Sequence, residues 1–188
     1  MRFISFQTQS GVRPGVLVDD DNVLDFRQAA EVNGGPVYRS VLALIEAGEA
    51  GLDAIAGLLR DPVDAAVHPM AGIQFLSPLP VPQQIRDFAN YEQHCLAAMD
   101  ASMRLRSAKE KDPEAAYQKM KNSGAYRLPD VWFDIPLYYK GNRFAINGHE
   151  GIVEWPPFAE NLDYELELAC VIGRQGKDIA AADAREHI

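Results

Sequence analysis

Residues 163–173 read Asp-Tyr-Glu-Leu-Glu-Leu-Ala-Cys-Val-Ile-Gly, an alternation of acidic and apolar side chains with a period of two. That period fits a β-strand, in which alternate side chains share a face: Asp163, Glu165 and Glu167 project to one side, Tyr164, Leu166 and Leu168 to the other. Neighbours on the acidic face lie about 7 Å apart, where like charges repel unless water screens them or a cation gathers them. Two readings stand side by side: a half-exposed strand whose acidic face meets solvent, and a site of hard oxygen ligands suited to Mg²⁺, Mn²⁺ or Ca²⁺ rather than zinc.

The rest of the chain supplies elements for such a strand to pack among. The apolar runs Phe3-Ile4-Ser5-Phe6, Val16-Leu17-Val18 and Val23-Leu24-Asp25-Phe26, the last two separated by the polar turn Asp19-Asp20-Asp21-Asn22, predict a small β-meander. Over 37–60 the period lengthens: Val41, Leu42, Leu44, Ile45, Leu52, Ile55, Leu58 and Leu59 recur at helical spacing, interrupted by Gly48 and Gly51 and stopped before Asp61-Pro62. Two short helices are expected there. Three prolines in residues 77–83 favour an extended connector. Residues 101–127 are polar and helix-permissive, either a solvated helix or a lid over a nearby site. Beyond them, Pro136-Leu137-Tyr138-Tyr139, Ala145-Ile146, Gly151-Ile152-Val153 and 162–172 read as strands separated by Gly, Asn and Pro turns. The expected organisation is an N-terminal meander with helices (1–76), a proline-rich connector (77–84) and a β-rich domain (85–188) with a helical insert at 101–127.

Composition narrows the partners. A net charge of −9 disfavours a broad nucleic-acid or anionic-membrane surface, since both rely on Lys and Arg to neutralise phosphate. The two cysteines, Cys95 and Cys170, lie far apart and do not suggest a disulfide scaffold. The N-terminal MRFISFQTQSG lacks the apolar core of a signal peptide, so a soluble cytoplasmic protein is expected.

A second constellation follows the connector: Arg86-Asp87-Phe88-Ala89-Asn90-Tyr91-Glu92-Gln93-His94. If this segment were helical, the step from Asp87 to His94 would span about two turns and turn both toward one pocket. A metal-binding carboxylate and an imidazole that takes a proton from water make a workable hydrolytic pair, while a helix cap and an unrelated histidine is the plainer alternative. Cys95 has no accompanying acid or oxyanion motif, and His68, His149 and His187 are assigned no role. Gly173-Arg174-Gln175-Gly176 lacks the strand-to-helix fingerprint of a nucleotide site.

Taken together, Arg86-Asp87-Phe88 with His94, Ile135-Pro136-Leu137-Tyr138-Tyr139-Lys140-Gly141-Asn142, and Asp163 to Leu168 running into Val171-Ile172-Gly173-Arg174 resemble the fumarylacetoacetate hydrolase family. The resemblance runs from about Pro80 onward. It implies a mainly β (α+β) chain, with a small N-terminal β-containing domain ahead of a mixed β-roll catalytic domain. It implies that Asp87, Glu165 and Glu167 bind a divalent metal, Mg²⁺ first with Mn²⁺ or Ca²⁺ as alternatives. It implies that His94 is the catalytic histidine and that Tyr139, ahead of the adjacent Tyr138, contacts substrate. The implied substrate is a 1,3-diketo or 2-oxo acid whose neighbouring oxygens chelate the metal, and the implied reaction is C–C hydrolysis with His94 activating water. Decarboxylation or isomerisation is the variant chemistry, and a non-catalytic module that keeps the fold is the alternative outside enzymology. A homodimer is implied as well.

Two departures matter. Ala89 stands where the eponymous hydrolase has tyrosine, and no acidic residue follows His94 by three, so the His–Glu dyad of the acylpyruvase-like branch is not expected. The family pattern also continues past Ile188 with a further acidic ligand, so the chain is expected to correspond to the first half or more of a member.

Overall fold

The computed structural model describes all of residues 1–188. They form two compact units, Met1–Pro82 together with Phe144–Ile188, and Gln83–Arg143. The class is α+β with antiparallel sheets, as expected.

In the first unit the meander β1 (Phe3–Thr8), β2 (Gly11–Leu17) and β3 (Asn22–Asp25) is joined by β4 (Val67–Pro69) and β5 (Gln74–Leu76). The antiparallel order is β4-β3-β2-β1-β5. The β2–β3 turn is built by Asp19, whose carboxylate accepts from the Asp21 backbone N–H at 2.8 Å and from the Asn22 amide at 3.0 Å. That geometry is an Asx turn, and the Asn22 amide, then the Asp21 N–H, hold the Asp19 carboxyl below the usual carboxylate range.

Helix α1 (Phe26–Asn33) follows β3 directly because Asp25 caps it, accepting from Arg27 N at 2.8 Å and Gln28 N at 3.1 Å. The expected helical stretch holds α2 (Val41–Glu46), capped by the Ser40 hydroxyl, and α3 (Gly48–Arg60). The helices lay Phe26, Ala29, Leu44 and Ile55 over Val16 and Leu24 of the sheet, and all six are essentially inaccessible. Only Gly48, at φ 60, breaks the helical run. Gly51 lies within α3, and a Cβ there would come within 2.9 Å of Leu44, so it is a packing glycine rather than the expected interruption.

The second unit holds a two-stranded ribbon, β6 (Arg86–Phe88) and β7 (Tyr138–Lys140), and between these strands α4 (Glu92–Ser107), α5 (Pro113–Asn122) and the short α6 (Val131–Asp134). The helical insert expected at 101–127 therefore begins earlier, at Glu92, and is two helices. Met103 and Ser107 of α4, Tyr117 of α5 and Leu128 beyond it are buried. Asp100 ties the helices: its carboxylate accepts from the Tyr117 hydroxyl at 2.5 Å and from Arg104 Nε at 2.9 Å, and the Arg104 guanidinium lies 4.2 Å from the Tyr117 ring centre.

The strands expected at 145–146, 151–153 and 162–172 do not form; residues 144–188 are turns and irregular backbone apart from a short 3₁₀ turn at Ala184–His187. A strand exists only where a neighbour takes its backbone bonds, and no stretch of 1–188 pairs with these residues. Locally, the Asp163 carboxylate accepts from the Tyr164 N–H at 2.8 Å, a side-chain bond of the kind that competes with a ladder. Alternation survives in the sequence, but Tyr164, Leu166 and Leu168 are as exposed as the acidic residues between them.

Candidate metal and substrate site

The β6–β7 register brings two of the singled-out residues together. Asp87 is the direct cross-strand partner of Tyr139, with Arg86 opposite Lys140 and Phe88 opposite Tyr138. Directly opposed side chains share a face with Cβ atoms about 5 Å apart, so Asp87 and Tyr139 project from one side of the ribbon. The other side carries Arg86, Phe88, Tyr138 and Lys140, where the Arg86 guanidinium sits 4.6 Å from the Tyr138 ring centre and Phe88 packs on Tyr138 at 5.5 Å. The two adjacent tyrosines are thereby told apart: Tyr139 is on Asp87's side and Tyr138 is not.

Past Phe88 the ribbon continues for one more bond, from the Ala89 N–H to the Leu137 carbonyl at 3.0 Å, and the Trp132 indole N–H closes on the Ala89 carbonyl at 2.6 Å. The chain then turns through Asn90 into α4. Asp87 and His94 do not lie on one helix, as two helical turns between them would require: Asp87 is on a strand and His94 is in the first turn of α4. The cause is Ala89, whose N–H goes to β-type pairing rather than to a helical carbonyl.

Glu165 and Glu167 lie in the other compact unit, on the irregular segment downstream of Phe144. Asp87, His94, Tyr139, Glu165 and Glu167 all have exposed side chains. No three or more His, Cys, Asp and Glu side chains gather into a metal-binding group. The donor chemistry nonetheless fits a hard cation, because Asp87, Glu165 and Glu167 offer carboxylate oxygens alone.

His68 has a structural partner that no local pattern shows. It lies on β4 and its Nε2 is 2.8 Å from Gln28 Oε1, while Gln28 Nε2 donates to the Ala65 carbonyl at 2.5 Å, so Gln28 ties α1 to the segment leading into β4. The signal for this pairing was absent because it links residues forty apart along the chain. No helix is long and apolar enough to cross a membrane.

Comparison with known proteins agrees with the motifs. Residues 83–188, more than half of the chain, match the family described as Fumarylacetoacetate (FAA) hydrolase C-terminal. Oxaloacetate tautomerase FAHD2A, mitochondrial, of Bos taurus is 24% identical over 192 residues, covering 100% of this chain and 50% of the relative. Fumarylacetoacetate hydrolase domain-containing protein 2 of Pongo abelii is 27% identical over 153 residues, 80% of this chain and 38% of its own length. Oxaloacetate tautomerase FAHD2B, mitochondrial, of Homo sapiens reaches 40% identity over a shorter stretch of 53 residues, 28% of this chain and 17% of the relative. The chain thus spans about half the length of the curated relatives it matches across its whole extent. With the family matched over residues 83–188, this chain belongs to the fumarylacetoacetate hydrolase family.

Proposed function

We propose that the chain carries the metal- and substrate-binding part of an enzyme acting on a 2-oxo or 1,3-diketo acid. Support comes first from Asp87 and Tyr139 sharing one face of the β6–β7 ribbon within the family-matched segment. In this reading Asp87, Glu165 and Glu167 hold a divalent cation, Mg²⁺ first, with Mn²⁺ or Ca²⁺ as alternatives. When bound, the cation polarises the substrate carbonyl and stabilises negative charge on the neighbouring oxygens.

The chain's own groups do the rest. Tyr139 offers its hydroxyl to a substrate oxygen on the Asp87 side of the ribbon. His94, in the first turn of α4, is the proton acceptor. Acting on water, it yields the hydroxide that attacks a carbonyl carbon of a fumarylacetoacetate- or acylpyruvate-like acid, the C–C bond breaking to an enolate that takes the proton back; acting on the carbon flanked by two carbonyls, it carries the proton between that carbon and the enol oxygen, which is tautomerisation. The bovine and human relatives, both oxaloacetate tautomerases by name, favour the second outcome for an oxaloacetate-like substrate. The insert over 101–127, which holds the end of α4 and all of α5, acts as a lid, so stiffening it changes turnover more than metal affinity. The wider reading keeps the division into 1–76, 77–84 and 85–188, and a cytoplasmic homodimer working on a small molecule without nucleic-acid or membrane partners.

The test is a calorimetric titration of Mg²⁺ and Mn²⁺ into the protein and into its Glu165→Ala/Glu167→Ala variant. It is followed by assays of oxaloacetate enol-to-keto conversion and of acylpyruvate cleavage. Binding that disappears in the variant supports the carboxylate site. Equal binding in both proteins removes it and leaves the fold without an assigned metal.

A further inference from the structure

The segment that carries Glu165 and Glu167 belongs to the same compact unit as the N-terminal sheet, and it meets that part of the chain on both sides of the acidic stretch. On the near side is a tight turn over 147–152. The Gly151 N–H donates to the Gly148 carbonyl at 3.0 Å, the Asn147 amide reaches the Ile152 carbonyl at 3.3 Å, and Glu150 takes a left-handed backbone with φ 58. A non-glycine residue in that conformation costs roughly 1–2 kcal/mol and persists only where its surroundings enforce it.

What surrounds the turn is strand β5, one of the two edge strands of the five-stranded sheet. A Cβ on Gly148 would sit 2.5 Å from Leu76 Cα and 2.5 Å from the Phe75 carbonyl oxygen, so the turn lies directly on the β5 backbone. The His149 ring adds an edge-on contact with Phe75 at 6.5 Å. On the far side, Gly173 approaches α2, with its Cβ direction 4.0 Å from Ile45 Cγ2, an ordinary contact with room to spare.

We propose that Gly148 is a positioning residue: by letting the 147–152 turn seat on the β5 backbone, it makes the N-terminal sheet the anchor that holds Glu165 and Glu167 for cation binding. The inference rests on the metal reading above and extends it, assigning the N-terminal sheet a part in the chemistry of residues outside it. Gly148 itself touches neither metal nor substrate. Its backbone φ is not in the left-handed region, so alanine is excluded there by the Phe75 and Leu76 backbone and not by its own torsions.

The experiment uses the full chain and Mn²⁺ as probe, with affinity read by electron paramagnetic resonance and local order read by amide hydrogen exchange. Gly148→Ala is expected to weaken Mn²⁺ binding about tenfold, the scale on which groups that orient metal ligands act. It is also expected to speed exchange over 147–152. Gly173→Ala, which adds a methyl group into ordinary contact, and Glu150→Gly, which relieves the left-handed residue, leave Mn²⁺ affinity unchanged. His149→Ala loosens the seat by removal rather than insertion and weakens binding by a smaller factor; it carries the test if Gly148→Ala does not fold. Wild-type Mn²⁺ affinity in both Gly148→Ala and His149→Ala, with exchange over 147–152 accelerated or not, overturns the role of Gly148 while leaving the metal reading intact. A wild-type protein that binds no Mn²⁺ overturns the metal reading and this role with it.

Discussion

Asp25 offers a quantitative test of how the N-terminal unit is held together. It is 3% exposed, caps α1 through two backbone N–H groups, and faces Arg13, whose Nη1 is 3.6 Å from Asp25 Oδ2. The Arg13 side chain is 17% exposed, and its Nε and Nη1 are buried without hydrogen-bond partners. This is an ion pair without a hydrogen bond, so its two members depend on each other for charge compensation alone. Removing one partner of a fully buried pair costs about 3–5 kcal/mol. The longer separation and residual exposure here reduce that to about 2 kcal/mol. Loss of the cap adds about 1 kcal/mol.

Asp25→Asn keeps an equally good cap and loses the charge, for about 2 kcal/mol, whereas Asp25→Ala loses both, for about 3 kcal/mol. Arg13→Met leaves Asp25 bonded to two N–H groups and costs about 1 kcal/mol or less. Combining it with Asp25→Asn recovers most of the charge penalty. Urea titration by circular dichroism reads these values: with a slope of about 2 kcal/mol/M, Asp25→Ala lowers the midpoint by about 1.5 M. If Asp25→Asn and Arg13→Met are additive within about 0.5 kcal/mol, the two charges do not compensate each other and the reasoning fails.

Three further outcomes are expected. Gly51→Ala drives a methyl group to 2.9 Å from Leu44 and destabilises by about 1–3 kcal/mol, whereas Gly57→Ala, whose nearest neighbour is an Arg60 nitrogen at 3.9 Å, stabilises by about 0.5–1 kcal/mol through helix propensity; thermal melts separate them by sign. The Tyr117 hydroxyl, then Arg104, hold the Asp100 carboxyl below its ordinary value, so that group's stabilisation of the α4–α5 pair is complete above about pH 4 and is lost as pH falls through the lowered folded value. The protection of α5 amides, their exchange rates taken relative to the intrinsic rate at each pH, therefore falls in acid in the wild type, and Asp100→Asn abolishes the acid dependence contributed by this group. Under the proposed function, Tyr139→Phe lowers turnover about tenfold, the worth of one hydrogen bond, and Tyr138→Phe does not; equal effects would remove the face assignment.

The parts of the fold that were legible in the sequence are those written in local pattern. The meander, the Asp19–Asn22 turn and the two helices of 37–60 each announce themselves within a few residues. Helix α1 was missed although Asp25 before it and Gly34 after it are ordinary cap residues, because Phe26 continues the apolar run of β3. Strands β4 and β5, three residues each, are too short to show a period and exist through pairing with distant neighbours. The candidate site follows the same division. Residue types at 87, 94, 139, 165 and 167 were visible as motifs, but which face Tyr139 takes depends on a pairing with Asp87 that no local window contains. Residues 163–168 carry the alternation of a strand without forming one, since pairing needs a second stretch of backbone.

The ribbon that opposes Asp87 to Tyr139 also decouples chemistry from sequence length. Everything between β6 and β7, including α4 and α5, enters and leaves through the paired ends at Ala89 and Leu137. Lengthening such an excursion costs only a logarithmic increment, about 0.6 kcal/mol per doubling. A one-residue slip within the three paired positions is far more disruptive, because it turns Tyr138 toward Asp87 and Tyr139 away. Insertions and deletions in the excursion beyond the first turn of α4, which carries His94, are therefore open to natural variation and to grafting, while the two strands that frame it tolerate no change in length.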